Sequence, residues 1–131
     1  MEFATLNTGA RMPMEGFGVY QITALDVCEK SVYEAIKAGY RLLDTAAAYG
    51  NEAARGKAVK LASADGLVKR EDLFITTKAW VQDMHKAGDT YASVKRSLAL
   101  SGLDYFDLVL LHQAMGDYFT AYRDLEKAAK D

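Results

Sequence analysis

Three apolar runs in this chain each end on a reactive polar side chain: Leu42-Leu43-Asp44-Thr45, Leu73-Phe74-Ile75-Thr76-Thr77-Lys78 and Leu108-Val109-Leu110-Leu111-His112-Gln113. None alternates apolar with polar residues, so each predicts a strand covered on both faces. A fourth such run, Gly16 to Gln21, precedes them. The segments between the runs change to a helical period. Leu25 to Ala38 carries Val32, Ala35 and Ile36, with Gly39 as a stop, and a second helix is predicted from Asn51 to Ala64, broken by Asp65-Gly66. A third begins after Asp89, a candidate N-cap, shows Tyr91, Val94, Leu98 and Ser101 along one face, and ends at Gly102. A fourth starts at Asp117, with Phe119, Tyr122, Leu125 and Ala129 expected to face inward. Ahead of all these, residues 3–15 place the turn cluster Asn7-Thr8-Gly9-Ala10 between short apolar groups, which predicts a small hairpin at one end of the sheet.

The strand limits predicted are Arg41–Thr45, Leu73–Lys78 and Phe106–Gln113. The intervals from Asp44 to Lys78 and from Lys78 to His112 are both 34 residues, the pace of a repeated strand-then-helix unit. Right-handed crossovers set each new parallel strand beside the last. The fold class expected is therefore α/β, a parallel (β/α) barrel type with about four β/α units after the hairpin, in one domain over 1–131. A closed barrel of this kind has eight units in roughly 250 residues, so the expectation is its N-terminal half. In such a barrel the carboxyl ends of the strands converge on one mouth. A carboxylate, an ammonium and an imidazole delivered there would meet in space.

Composition narrows the partners. Of the 131 residues, 16 are basic and 18 acidic, a formal charge of −2 without long runs of either sign, so neither nucleic acid nor a membrane surface is an expected partner. Half of the residues are hydrophobic, ample for a core. The single cysteine, Cys28, permits no internal disulfide and no multi-cysteine metal site. His85 lies in a polar stretch far from His112, and no metal is expected. The opening Met1–Thr5 lacks the zones of a signal peptide and no stretch is long enough to cross a bilayer, so the expected location is cytoplasmic.

The residues also resemble a known family. Gly9-Ala10-Arg11-Met12-Pro13, Gly16-Phe17-Gly18-Val19-Tyr20, Leu43-Asp44-Thr45-Ala46-Ala47-Ala48-Tyr49-Gly50-Asn51-Glu52, Phe74-Ile75-Thr76-Thr77-Lys78-Ala79-Trp80 and Gly102-Leu103-Asp104-Tyr105-Phe106-Asp107-Leu108 leading to Leu111-His112-Gln113 are together similar to the aldo-keto reductases. Within that family they look most like microbial members acting on small ketones and 2,5-diketo-gluconate. The resemblance implies a catalytic tetrad of Asp44, Tyr49, Lys78 and His112, and NADPH as hydride source for reducing a small aldehyde or ketone. It places Gly18, Val19, Tyr20 and Asp44 at the nicotinamide end of the cofactor, and Tyr20, Ala48, Trp80, His112 and Gln113 around the substrate. Gly16 and Gly18 do not make a dinucleotide fingerprint, since the third glycine and its helix are missing.

Physical chemistry agrees with those roles. A hydride added to a carbonyl carbon leaves charge on oxygen, and a donor within hydrogen-bond reach must neutralise it. Tyr49 is the expected donor, Lys78 the cation that favours its phenolate, Asp44 the counter-ion that orients Lys78, and His112 the group that directs the carbonyl. Taken singly, Asp44 reads as a strand-end cap, Tyr49 as a packed aromatic, Lys78 as a solvated charge and His112 as structural; only their joint spacing favours a site. Two departures stand out. Ala114 occupies a position where the family commonly has proline, and the later loops that hold the cofactor's adenosine and 2′-phosphate in family members have no counterpart here. A non-catalytic alternative is a half-barrel module that self-associates through open sheet edges as a homodimer, or pairs with a complementary C-terminal half. Lys78 at a barrel strand end would also suit Schiff-base chemistry.

Overall fold

A computed structural model describes all 131 residues. Strands β1 (Phe3–Thr5) and β2 (Arg11–Pro13) form the antiparallel hairpin, closed by a turn in which Gly9 takes the left-handed conformation. It shares a cleft with Arg41, Leu73, Phe74 and Asp107, at the end where the strands of the main sheet begin. That sheet consists of β3 (Gly16–Gly18), β4 (Leu42–Asp44), β5 (Phe74–Ala79) and β6 (Leu108–Leu111), parallel throughout and ordered as in the chain. Four helices, α1 (Leu25–Lys37), α2 (Glu52–Ala64), α3 (Asp89–Ser101) and α4 (Tyr118–Lys130), follow the four strands in turn. The result is a partial (β/α) barrel that does not close. No helix is long and apolar enough to cross a membrane.

One face of the sheet is filled by helices. Cys28, Val32, Ala35 and Ile36 recur at helical spacing on α1 and are buried, and Cys28, Val32 and Ile36 join Leu43 and Ile75 of the strands and Ala54, Ala58, Val59 and Ala62 of α2 in a single core. Each large side chain buried there contributes roughly 1.5–3 kcal/mol. Strand residues alternate sides, so Asp44, Thr76 and Lys78 project from the opposite face. Asp107 anchors β5 where it starts, accepting the Ile75 amide (2.8 Å) and an ion pair from Arg70 (2.8 Å).

Two expectations about helices are corrected. Asp89 is not the N-cap of α3; that position is Gly88, at φ 93°. The caps come instead from α4, where buried Asp124 accepts the amides of Gly88 (2.8 and 3.0 Å), Thr90 (3.1 Å) and Tyr91 (3.3 Å). The inward face of α4 is likewise not the aromatic stripe. Ala121 and Asp124 are buried, whereas Phe119 is 73% exposed, Tyr122 is 58% exposed and Ala129 is exposed. Of the predicted stripe only Leu125 is half-buried.

Between α2 and α3 the packing is polar. The buried face of α3 is Thr90, Ser93, Val94, Ser97 and Ser101, while Tyr91 and Leu98 are only half-buried. Gly56 lets the two helices touch, because a Cβ there would collide with the backbone of Ser101. That neighbour is main chain and cannot swing aside. Gly56→Ala is therefore expected to lower stability by about 1–3 kcal/mol, even after alanine's gain of about 1 kcal/mol in helix propensity. Urea unfolding checks this: the midpoint should fall at unchanged slope, and an unmoved midpoint would show slack between the helices.

Candidate active site

The exits of β4 and β5 hold the centre of the site. In the parallel register Asp44 lies opposite Thr76, with Lys78 two residues further along the same face. The Lys78 ammonium reaches back to donate to both Asp44 oxygens (2.8 and 2.6 Å) and to the Thr45 carbonyl (3.0 Å). All three of its hydrogens are thus used. Thr76 donates its hydroxyl to Asp44 as well. The Lys78 and Asp44 side chains are 15% and 33% exposed, a partly buried pair.

After β4 the chain makes a single 3-10 turn, Ala47–Tyr49, closed by Gly50 in the left-handed conformation. It sets the Tyr49 ring with its centroid 5.2 Å from the Lys78 ammonium. His112, just past β6, stands edge-on to Tyr49 (centroids 5.7 Å) and to Trp80 (5.1 Å). Tyr20 packs against Tyr49 from the other side at 5.0 Å. Asp44, Tyr49, Lys78 and His112 therefore share one rim with Tyr20 and Trp80. Burial holds the His112 imidazole below its ordinary pKa of 6.5, the Lys78 cation lowers it further, and Asp44 opposes both. The shift favours the neutral ring, whose Nδ1 is buried without a hydrogen-bond partner.

The remaining expected site residues are placed unevenly. Gly18 pairs in register with Asp44 at the rim, and a Cβ built on it would meet nothing within 4 Å. Val19 is buried, while Tyr20 is 66% exposed. Ala48 and Trp80 line an open depression of about 440 Å³ with Ala47, Gln82 and Asp83. Gln113 is exposed, makes no side-chain hydrogen bond and has φ 57°. Gln21, at the exit of β3, has φ 64°. These two glutamines are the non-glycine residues in left-handed backbone, a strained conformation that gathers at functional sites.

Sequence reasoning missed the supports beneath the rim. Buried Asn51 donates through Nδ2 to the carbonyls of Val19 (2.9 Å) and Ile22 (3.2 Å) and accepts from the Thr45 hydroxyl (2.5 Å), tying the exits of β3 and β4 to the start of α2. Glu52 and Arg55, also buried, follow on the same helix. Burial pulls the Arg55 guanidinium down to about 10, with Glu52 and Asp44 opposing, so it remains a cation at neutrality. The signal was available: a polar Asn51-Glu52 pair entering a helix whose next residues are small and apolar.

Residues 17–131 match the family described as the aldo/keto reductase family. The chain belongs to that family. It is 50% identical over 112 residues to a 4-dihydromethyl-trisporate dehydrogenase of Mucor mucedo, covering 85% of this chain and 34% of that protein. It is also 50% identical over 107 residues to an NAD(P)H-dependent D-xylose reductase of Hypocrea jecorina, covering 82% and 32%. Among solved structures, a Bombyx mori aldo-keto reductase in complex with NADP superposes with a TM-score of 0.92 at 34% identity, over 98% of this chain and 47% of that one. A Brucella melitensis aldo/keto reductase gives 0.91 at 37% identity, over 98% and 48%. This aldo/keto reductase chain thus spans about a third of the length of the curated relatives it matches.

The two histidines, His85 and His112, make one electrostatic test simple. In an NMR titration His112 is expected to protonate below pH 6.5, and Lys78→Met should move its midpoint upward by removing a cation. A His112 midpoint at or above 6.5 in the wild-type chain would contradict the burial and charge assigned to it.

Proposed function

We propose that the rim performs the proton-transfer half of carbonyl reduction, converting a small aldehyde or ketone to its alcohol. The observation that carries this reading is the Lys78 ammonium, saturated by Asp44 and Thr45 and lying 5.2 Å from the Tyr49 ring. Tyr49 donates its hydroxyl proton to the carbonyl oxygen as negative charge develops there, and the phenolate left behind lies beside Lys78. Asp44 fixes the ammonium and offsets part of its desolvation. His112, neutral and edge-on to Tyr49, orients the carbonyl oxygen between imidazole and phenol. Tyr20, Trp80 and Ala48 form the apolar walls, and Gln113 offers a polar side chain at the edge. The complete set of acceptors around Lys78 Nζ favours a fixed ammonium over the free amine that Schiff-base chemistry needs.

NADPH, when bound, supplies the hydride. Gly18 fits its nicotinamide end, since it presents only backbone beside Asp44 and has open space where a Cβ would be. Val19, Tyr20 and Asp44 would complete that contact. The cation at the rim, Lys78, is already engaged, so these residues suit the ring rather than the phosphates.

Loss of nicotinamide absorbance with NADPH and a panel of aldehydes, aldoses and ketones tests the proposal. Weak turnover is expected, and Tyr49→Phe should reduce it by about 10²–10⁴-fold, the usual contribution of a positioned proton donor. No turnover at high protein concentration, or equal turnover by the variant, would overturn it.

A second reading is favoured by the uncovered edges. β3 and β6 each have one unpaired side, and Leu110, Phe119 and Tyr122 stand exposed beside the β6 edge or on α4. Two copies, each pairing β6 with the partner's β3, would complete an eight-stranded parallel barrel. Light scattering at micromolar concentration is expected to give twice the chain mass of 14.4 kDa. A strictly monomeric species would remove this reading.

A further inference from the structure

Two charges sit deeper than any other on α2. Arg55 has no solvent exposure and Glu52 only 3%. Glu52 Oε2 accepts the Thr77 hydroxyl (2.7 Å) and Oε1 the Ser97 hydroxyl (2.8 Å). Arg55 donates through Nη1 to the Thr76 carbonyl (2.5 Å) and through Nη2 to the Ser101 hydroxyl (3.3 Å), its guanidinium lies over the Phe106 ring at 5.4 Å, and its Nε has no partner. One turn of α2 therefore grips two consecutive residues of β5, and the next residue along that strand is Lys78.

Hydrophobic packing does not call for this arrangement. Burying a guanidinium costs several kcal/mol in lost hydration, and here one of its donors stays unsatisfied. An apolar side chain of similar volume would fill the space without that cost. What the charge adds is direction. Thr76 is held at both ends, its carbonyl on Arg55 and its hydroxyl on Asp44.

We infer that Arg55 is a positioning residue for the Asp44–Lys78 pair: through Thr76 it fixes the segment of β5 from which Lys78 reaches across to the Asp44 carboxylate. The inference rests on the proposed reductase reading only for the importance of that pair. It concerns a side chain that touches neither substrate nor cofactor. Gly56 makes it feasible, because the close approach of α3 at that residue brings Ser101 to the guanidinium.

Site-resolved acylation of lysines, read by mass spectrometry, tests this without any turnover. Lys78 is protected while its ammonium is locked on Asp44, whereas Lys30, Lys37 and Lys86 are exposed and serve as internal controls. In Arg55→Met the Lys78 rate is expected to rise about fivefold, the scale of one weakened hydrogen bond to a charged group, with the controls unchanged. Arg55→Lys, which keeps the charge and a donor for the Thr76 carbonyl, should return Lys78 toward the wild-type rate. A folded Arg55→Met chain whose Lys78 reacts at the wild-type rate would overturn the inference, and so would equal acceleration of every lysine, which would signal general loosening. Should Arg55→Met fail to fold, Ser101→Ala removes the hydroxyl that aims the Arg55 guanidinium and leaves the Thr76 hydroxyl on Asp44. Selective acceleration of Lys78 then supports the inference, and an unchanged rate defeats it. Failure of the reductase reading would appear in the absorbance assay and leave the labelling result to stand by itself.

Discussion

The ion pair between Asp44 and Lys78 spans two neighbouring strands, and most of the molecule bears on keeping it there. Parallel pairing sets Asp44 opposite Thr76, so Lys78, one same-face step or about 6.6 Å further on, must reach back toward the carboxylate. Such a pair, partly withdrawn from water, holds only if every donor and acceptor finds a partner. Thr45 takes the third ammonium hydrogen and Thr76 adds a hydroxyl to the carboxylate. The aromatic rim is then arranged around a fixed charge, with Tyr49 beside the ammonium and His112 kept neutral partly by it.

The two faces of the sheet divide the work. On the helix side Leu43 and Ile75 meet α1 and α2 in a dense apolar core, which holds four strand–helix units together without a closed barrel. On the other face the interior of the partial barrel opens toward solvent, and Leu110 is 42% exposed there. Asp44, Thr76 and Lys78 share that open face. The site thus owes its geometry to the helix side, through strand register and through the polar seam of Glu52, Arg55, Ser97 and Ser101.

Where the chain alternates periods, its sequence reads well. The aliphatic runs ending at Asp44, Lys78 and His112 are strands, the segments between them are helices, and Asp44, Tyr49, Lys78 and His112 lie at one rim. The boundaries shorten for local reasons. β6 was read as Phe106–Gln113 and is Leu108–Leu111, because the Asp107 side chain is drawn to the Ile75 amide and Gln113 turns left-handed. The α4 face was misjudged because a periodic apolar stripe identifies an amphipathic helix and says nothing of what covers it. Phe119 and Tyr122 remain outside, while an acid, Asp124, turns inward. The seam was illegible for the converse reason. The face predicted for α3 was Tyr91, Val94, Leu98 and Ser101, whereas Thr90, Ser93 and Ser97 are buried with Val94 and Ser101 and carry no apolar signal of it.

Because Asp124 supplies the acceptor for three amides at the beginning of α3, that helix is completed by a residue more than thirty positions downstream. The first turn of α3 therefore has its amide acceptor only when α4 is docked. Opening one of these two helices thus exposes the other, which makes them a single cooperative unit.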